Sequence, residues 1–411
     1  MRGFVIAWMT CVWASACSGD GGSPVGDDLL PGGVLGGDLE IVTLSEFELA
    51  EDYAIFPADR GDADRIVMAH EWPGPGGFEA RPLMRFSLTA ADSFPEDSQI
   101  IEASLELRLQ AIEEPVELAV HRVTAAWTEE AATWERRDLG ESWTLAGGDF
   151  DPVPLAVSTI PGGGEQDSAA IDSISIPLPS DLVIEWLEND AGNHGLVLLQ
   201  RTPGAGVEFV SRGVGGVNSN GPRLEFVVQL SAPGAPAAEI SVLALEDTFL
   251  ADGGEVPAGD LRVGGGPEVR RLVLVPDLDP LPVGTVVARA QLVLPVEAVS
   301  LPGDSIALVA GRVASEFLGE KTILAVPSGS DLYGVAPVVR DSLPIDSLVF
   351  EGPFLTQAVR AWLRNPEANR GLYVILVNEP VEFGAIGFAG LQALPGRRPH
   401  LRLLVLPPER L

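Results

Sequence analysis

Leu105–Glu106–Leu107–Arg108–Leu109 alternates leucine with charge over five residues, and this run decides the fold class. A period of two places every leucine on one face of a strand and every charge on the other. The pattern extends back through Ile101–Glu102–Ala103–Ser104. Leu401–Arg402–Leu403–Leu404–Val405–Leu406 starts the same way and turns fully apolar. Gly 46 and Pro 34 make up about a fifth of the 411 residues without a collagen period, which suits many turns between short strands.

Working outward, the chain reads as two diverged copies either side of Ser231–Ala232–Pro233–Gly234–Ala235–Pro236–Ala237–Ala238. Seven segments match in one order. Glu51–Asp52–Tyr53 corresponds to Glu246–Asp247–Thr248, the Arg81–Phe86 segment to Arg271–Val275, and Ile101–Leu107 to Val287–Val293. The Val116–Val123 segment corresponds to Ile306–Val313, and the Trp186 segment to that of Trp362. Val207–Glu208–Phe209 corresponds to Val381–Glu382–Phe383, and Gly221–Leu224 to Arg398–Leu401.

Each copy holds one short helical pattern. Leu182, Val183, Trp186 and Leu187 follow a candidate cap at Ser180; Val359, Trp362 and Leu363 follow one at Thr356. The expectation is an all-β chain of two tandem jelly-roll-like antiparallel β-sandwich domains, each with one short helix. The domain boundaries read as a signal peptide at 1–17, a Gly/Asp-rich tether at 18–45 and a first sandwich at 46–230. A Pro/Ala linker at 231–240 and a second sandwich at 241–408 follow.

Met1–Arg2–Gly3 and the apolar run Phe4–Ala14 have signal-peptide proportions, too short to span a bilayer. Ala14–Ser15–Ala16–Cys17 resembles a lipobox, with Ala14 where Leu is usual; the competing reading is an ordinary secretory cleavage site. As a lipobox it implies lipid attachment at Cys17, stable anchoring by two or three acyl chains, and, with Ser18 following, the outer membrane of a Gram-negative bacterium. Both cysteines lie within the first 17 residues, so the folded part has no disulfide and no Cys metal site. With 26 Lys+Arg against 59 Asp+Glu, a formal charge of -33, nucleic acid is excluded as a partner, and membrane association is through the lipid anchor only.

The first copy resembles a DNRLRE domain, a group also classed with carbohydrate-binding module family 96 and related to disaggregatase repeats. The residues that carry this are Asp52–Tyr53, Arg81–Phe86, the strand Ile101–Leu109, Val120–Trp134, the Trp186 segment with Gly195–Leu198, and Gly221–Leu224. Trp127–Thr128–Glu129 and Thr133–Trp134 are the most specific. The resemblance covers about 46–230 and, more weakly, 241–408; the literal string that names the family is absent. The second copy keeps only Phe317 where the first has its paired Trp. Its offset falls from 190 at Val123/Val313 to 176 at Trp186/Trp362. The resemblance implies a secreted jelly-roll-like sandwich, often appended to polysaccharide-degrading enzymes or surface proteins, that binds glycans.

Sugar rings stack on flat aromatic faces, so loop tryptophans are the natural platform. Trp72 and Trp143, in turn-rich stretches missing from the second copy, are the candidates, with Trp134 and Arg85 beside them; Trp127, Trp186 and Trp362 read as core. Asp52 and Asp247, at one repeat position, are the candidate ligands of a structural calcium; no cofactor is required. The four histidines are scattered, no Gly-x-Ser-x-Gly elbow occurs, and no Cys nucleophile exists in the folded part. The reading is therefore a surface-anchored, non-catalytic protein that recognises extracellular or cell-wall polysaccharide through the first sandwich. The alternatives are a structural or adhesion lipoprotein of the envelope with no small ligand and, third, a polysaccharide lyase or hydrolase.

Overall fold

The computed structural model describes residues 39–55, 63–72, 77–88, 98–112, 115–162, 173–213, 218–230, 236–253, 257–315, 324–379, 381–406 and 408. Cys17 and residues 18–38 of the tether lie outside them.

In chain order, β1 (Glu40–Leu44) and β2 (Phe47–Ile55) come first. Then follow β3 (Arg65–Trp72), β4 (Phe78–Phe86), β5 (Gln99–Ile112) and β6 (Val116–Arg122), the ribbon β7 (Arg136–Asp138) and β8 (Glu141–Ser142), β9 (Ala156–Ile160) and β10 (Ser173–Leu178). Helix α1 (Ser180–Glu188) precedes β11 (Leu196–Gln200), β12 (Ala205–Val210), β13 (Arg223–Gln229) and the long β14 (Ala238–Gly253). The remainder is β15 (Leu261–Gly264), β16 (Val269–Pro276), β17 (Val286–Ser300), β18 (Ser305–Arg312), β19 (Leu332–Val339), β20 (Ser347–Glu351), α2 (Pro353–Arg364), β21 (Leu372–Leu376), β22 (Ala385–Phe388) and β23 (His400–Leu406).

The strands form two curled antiparallel sandwiches, each carrying one of the described α-helices. In the first unit the sheet runs β14–β13–β5–β12–β3–β4–β11–β6–β9, with β10 also on β5 and β14 reaching over to β4. β5 serves both layers: Leu105, Leu107 and Leu109 point into the core, and a register shift near its end turns it towards β12. α1 presents Leu182, Val183 and Trp186 to that core. The second unit repeats the plan as β1–β23–β17–β22–β15–β16–β21–β18–β19, with β20 on β17 and β2 on β16.

Gly195 and Gly371 fix the correspondence between units. Both have φ near +80°, and a Cβ would come 2.1 Å from the Met84 oxygen or 2.2 Å from the Leu274 oxygen, so neither tolerates a side chain. Met84 and Leu274 are therefore equivalent, as are their partners Leu196 and Leu372. The Arg81, Val116, Trp186 and Leu224 matches hold on this frame; three others slip. Leu224 pairs with Leu105 and Leu401 with Leu292, so β5 and β17 align one residue from the sequence match. Asp247 stands opposite Met84 whereas Ala50 stands opposite Leu274, so Asp52 and Asp247 do not share a position. Phe209 pairs with Leu109 next to a bulge, as Phe388 does with Val296, so Phe209 corresponds to Phe388 rather than Phe383.

The domain boundaries also need correction. β1 and β2 belong to the second unit: Glu40–Leu44 pairs with β23, and Phe47–Ile55 with β16. β14 closes the first unit, pairing with β13 through Leu243 and with β4 from Ala244. The first unit is thus continuous from β3 to β14, and the second runs from β15 to β23 and is closed by β1 and β2. Residues 40–44 of the expected tether and 238–240 of the expected linker are strand. The neighbouring Gly/Asp-rich and Pro/Ala stretches hide β1 and the start of β14 in the sequence, and no local pattern gives a closing strand its partner.

The helix caps differ as well. α1 has Pro179 at its cap without a side-chain bond, and α2 begins at Pro353, before Thr356. The Thr356 hydroxyl instead accepts the Ala290 N–H at 3.1 Å, pinning the helix to β17.

Phe383 joins the units. It reaches from the turn before β22 into an apolar cluster of the first unit with Ile66, Val67, Phe78 and Phe249. Its ring lies 5.0 Å from that of Phe78 and 6.0 Å from those of Trp72 and Phe249.

Candidate binding groove

The tryptophans expected to form a platform are used in packing. Trp143 is 5% exposed, and its Nε1–H donates to the Thr133 carbonyl at 2.8 Å. A side chain held this way offers no face to a sugar, so the platform assignment of Trp143 is corrected. Trp72 is half-buried; a Cβ on Gly206 would come within 3.0 Å of its ring, which shows the indole lying on that glycine. Its edge meets Phe383, so it too is occupied at the junction. Trp134 is half-buried under the Arg81 guanidinium, 4.4 Å from its ring centroid, while Arg81 also donates to the Gly147 carbonyl at 2.8 Å. Arg85 is paired with Glu246 at 2.7 Å. These four residues do not converge on one open face.

The Trp127–Trp134 segment works as a clamp. Trp127, buried as expected, donates its Nε1–H to the His194 carbonyl at 2.9 Å. Glu129 accepts the Arg212 guanidinium at 2.5 Å and the Asp247 N–H at 3.1 Å, tying the loop to β14. Asp247 is fully buried and accepts from the Ser211 hydroxyl at 2.9 Å and the Arg212 N–H at 2.8 Å. Burial is the main cause pushing its carboxyl up to about 6, against those two hydrogen bonds, which lower it.

Asp52 accepts Arg270 at 2.7 Å and has Arg262 at 3.8 Å. Two guanidiniums on one carboxylate leave it poorly suited to a cation, and Asp52 and Asp247 sit in different units. Among the described residues no group of three or more His, Cys, Asp or Glu could hold a metal ion.

An open concavity lies in the second unit, a groove of about 1430 Å³ beside α2. α2 buries Leu355, Val359 and Trp362 and turns Gln357, Arg360 and Arg364 outward, a division that follows from its 3.6-residue period. Arg360 and Arg364, four apart, line the groove with Arg312 and Arg370. The Arg360 Nε–H donates to the Val287 carbonyl at 2.6 Å and that of Arg364 to the Arg360 carbonyl at 3.1 Å. Arg312 has Asp331 at 3.6 Å. Among the described residues Arg360, Arg364 and Arg370 form no ion pair with a carboxylate. Glu48, Asp279 and Glu367 also line the groove, and Pro282, Val283 and Pro366 give it an apolar wall.

A signal for this site is present in the sequence, in the difference between the two helices. Aligned on the two helical tryptophans, Arg360 and Arg364 replace Ile184 and Glu188, and Arg370 replaces His194. Ten arginines face thirty carboxylates over residues 65–253, whereas thirteen bases nearly balance fourteen carboxylates over 261–406. The net charge of the whole chain conceals this division.

No protein-family model matches this chain, and no curated protein matches it significantly in sequence.

Proposed function

We propose that this protein is a non-catalytic binding protein of the cell envelope, anchored through Cys17, that recognises an extracellular or cell-wall polysaccharide. The groove beside α2 is its ligand surface, in place of the tryptophan platform anticipated in the first unit. The observation that carries this reading is the groove itself. An open channel in a chain rich in carboxylates keeps three arginines free of carboxylate partners among the described residues. Guanidinium donors with Gln357 and Asn365 suit an array of ring hydroxyls and acidic substituents, and Pro282, Val283 and Pro366 suit their apolar faces. The resemblance of the first copy to DNRLRE domains points to the same ligand class.

Glycan-array binding by the soluble chain from Ser18 tests it. The double variant Arg364→Ala/Arg370→Ala should lose retention about tenfold or more while its unfolding temperature is unchanged, since both side chains are solvent-facing. Full retention by that variant would refute the groove. The use of Trp72 and Trp143 in packing favours a second reading, a structural envelope lipoprotein with no small ligand; absence of binding to any glycan would decide for it.

A further inference from the structure

The two closing strands occupy equivalent places yet carry different chemistry. Opposite Met84 and Leu274 stand Asp247 on β14 and Ala50 on β2. Two residues on, Phe249 stands opposite Pro82 and Asp52 opposite Leu272. Each residue has a receptor built for it. Asp247 takes the Ser211 hydroxyl and the Arg212 N–H, Phe249 stacks on Phe383, and Asp52 takes Arg270. Exchanging the strands would bring the Asp52 carboxylate among Trp72, Phe78 and Phe383, and would strip Asp247 of its donors. An unpaired charge out of water is strongly disfavoured, so the slot in the second unit discriminates between the strands.

That slot is filled from outside its own unit. β2 ends at Ile55, and the next strand, β3 from Arg65, belongs to the first unit. Val42, Leu44, Phe47 and Ala50 pack into the core of the second unit, and Leu49, Tyr53 and Ile55 into a cluster on its outer face. The ladder and these clusters form equally well whether residues 40–55 come from the same polypeptide or another.

We propose that the second unit carries a strand-acceptor site, selective for the segment 40–55, which a second copy of this chain can fill. Main-chain ladders to β16 and β23 hold the strand, and the side-chain receptors, Arg270 above all, select it. Reciprocal filling by two chains keeps every bond of the closed monomer and makes a self-complementary two-fold pair. This goes beyond the groove reading and does not depend on it.

The test exploits the absence of cysteine after Cys17. Thr43 lies opposite Arg402, and both are exposed. In the soluble chain from Ser18, Thr43→Cys/Arg402→Cys should form an intrachain disulfide. Chains with one substitution each are then mixed in mild denaturant, concentrated on its removal and oxidised. A mixed dimer, disulfide-linked between position 43 of one chain and position 402 of the other and mapped by mass spectrometry, is the expected product. Adding Asp52→Phe to the Thr43→Cys donor should lower its yield about tenfold. No mixed dimer, with the intrachain bond intact, would show that a second copy is not accepted. An undiminished yield from the Asp52→Phe donor would overturn the selectivity, and no intrachain bond in the double variant would overturn the slot itself.

Discussion

Where the second unit turns Arg360 and Arg364 outward from α2, the first turns Ile184 and Glu188 outward from α1. Arg122, at the end of β6, is answered by Glu185 of α1 at 2.7 Å; its equivalent Arg312 has Asp331 at 3.6 Å, and Ala361 stands in the sequence where Glu185 would. The strands, the glycine after each helix and the buried tryptophan are the same. A shared strand plan with different outward charge shows that the repeat preserves what packs and lets the solvent-facing side chains diverge. The first unit spends its distinctive aromatic segment on a clamp around Asp247, whereas the second lacks the clamp and has Ala50 where Asp247 would stand.

The junction is where this comparison is easiest to break. Phe383, 4% exposed, is contributed with Val381 by the second unit to a cluster whose other members belong to the first. Phe383→Ala should cost about 4 kcal/mol, within the range for a buried phenylalanine. Calorimetry should then resolve two transitions where the parent chain gives one. A single transition at the parent temperature would mean that the units are not coupled through this ring.

Trp143→Ala separates packing from ligand binding in the first unit. Removing a buried indole and its hydrogen bond to Thr133 should cost about 3 kcal/mol, read as a lower unfolding temperature. Glycan retention below that temperature should be unchanged. Loss of retention with unchanged stability would return the binding face to the first unit.

Trp143 also marks the limit of what the sequence discloses. The alternating leucines of β5, the helical tryptophans and the post-helix glycines specify the sandwich, because burial enforces a period and tight approach enforces glycine. A tryptophan in a turn-rich stretch carries no period, so its burial depends on Thr133 and the clamp, which local pattern does not reveal. The closing strands were harder to read: β1 and the start of β14 adjoin Gly/Asp-rich and Pro/Ala stretches, and β2 carries no local mark of the unit that it closes. The groove required comparing the helices residue by residue, as its arginines differ from the first copy only at solvent-facing positions.

Acidity gives the next smaller effect. Burial raises the Asp247 carboxyl to about 6 and also raises Glu246, Glu379 and Glu382. A carboxyl that holds its proton more tightly folded than unfolded opposes folding once ionised. Its contribution is most favourable below pH 4, declines as pH rises to about 6, and for Asp247 amounts to about 3 kcal/mol across that window. Asp149 and Glu351, both lowered and both near the surface, act in the opposite sense at lower pH. The unfolding temperature should therefore be higher at pH 5 than at pH 7, with a smaller difference in Asp247→Asn. A fall on mild acidification would contradict the buried state of this group. The share that Asp247→Asn removes belongs to the first unit, Ala50 being the counterpart in the second, while Glu379 and Glu382 give the second unit a share of its own.

The smallest effect on stability falls in the groove and carries the most functional meaning. Arg364→Glu restores at α2 the charge that Glu188 bears on α1 and touches only the carbonyl of the preceding helical turn. Its unfolding free energy should move by less than about 0.5 kcal/mol, as for other exposed substitutions. If acidic substituents of a glycan are read here, binding should fall by more than in Arg364→Ala, because a repulsive charge is added to a lost donor. It should fall most at low salt, where screening is weakest. Equal losses from the two variants at all ionic strengths would instead assign Arg364 to hydrogen bonding with uncharged hydroxyls. The two units would then differ in donor geometry rather than in charge.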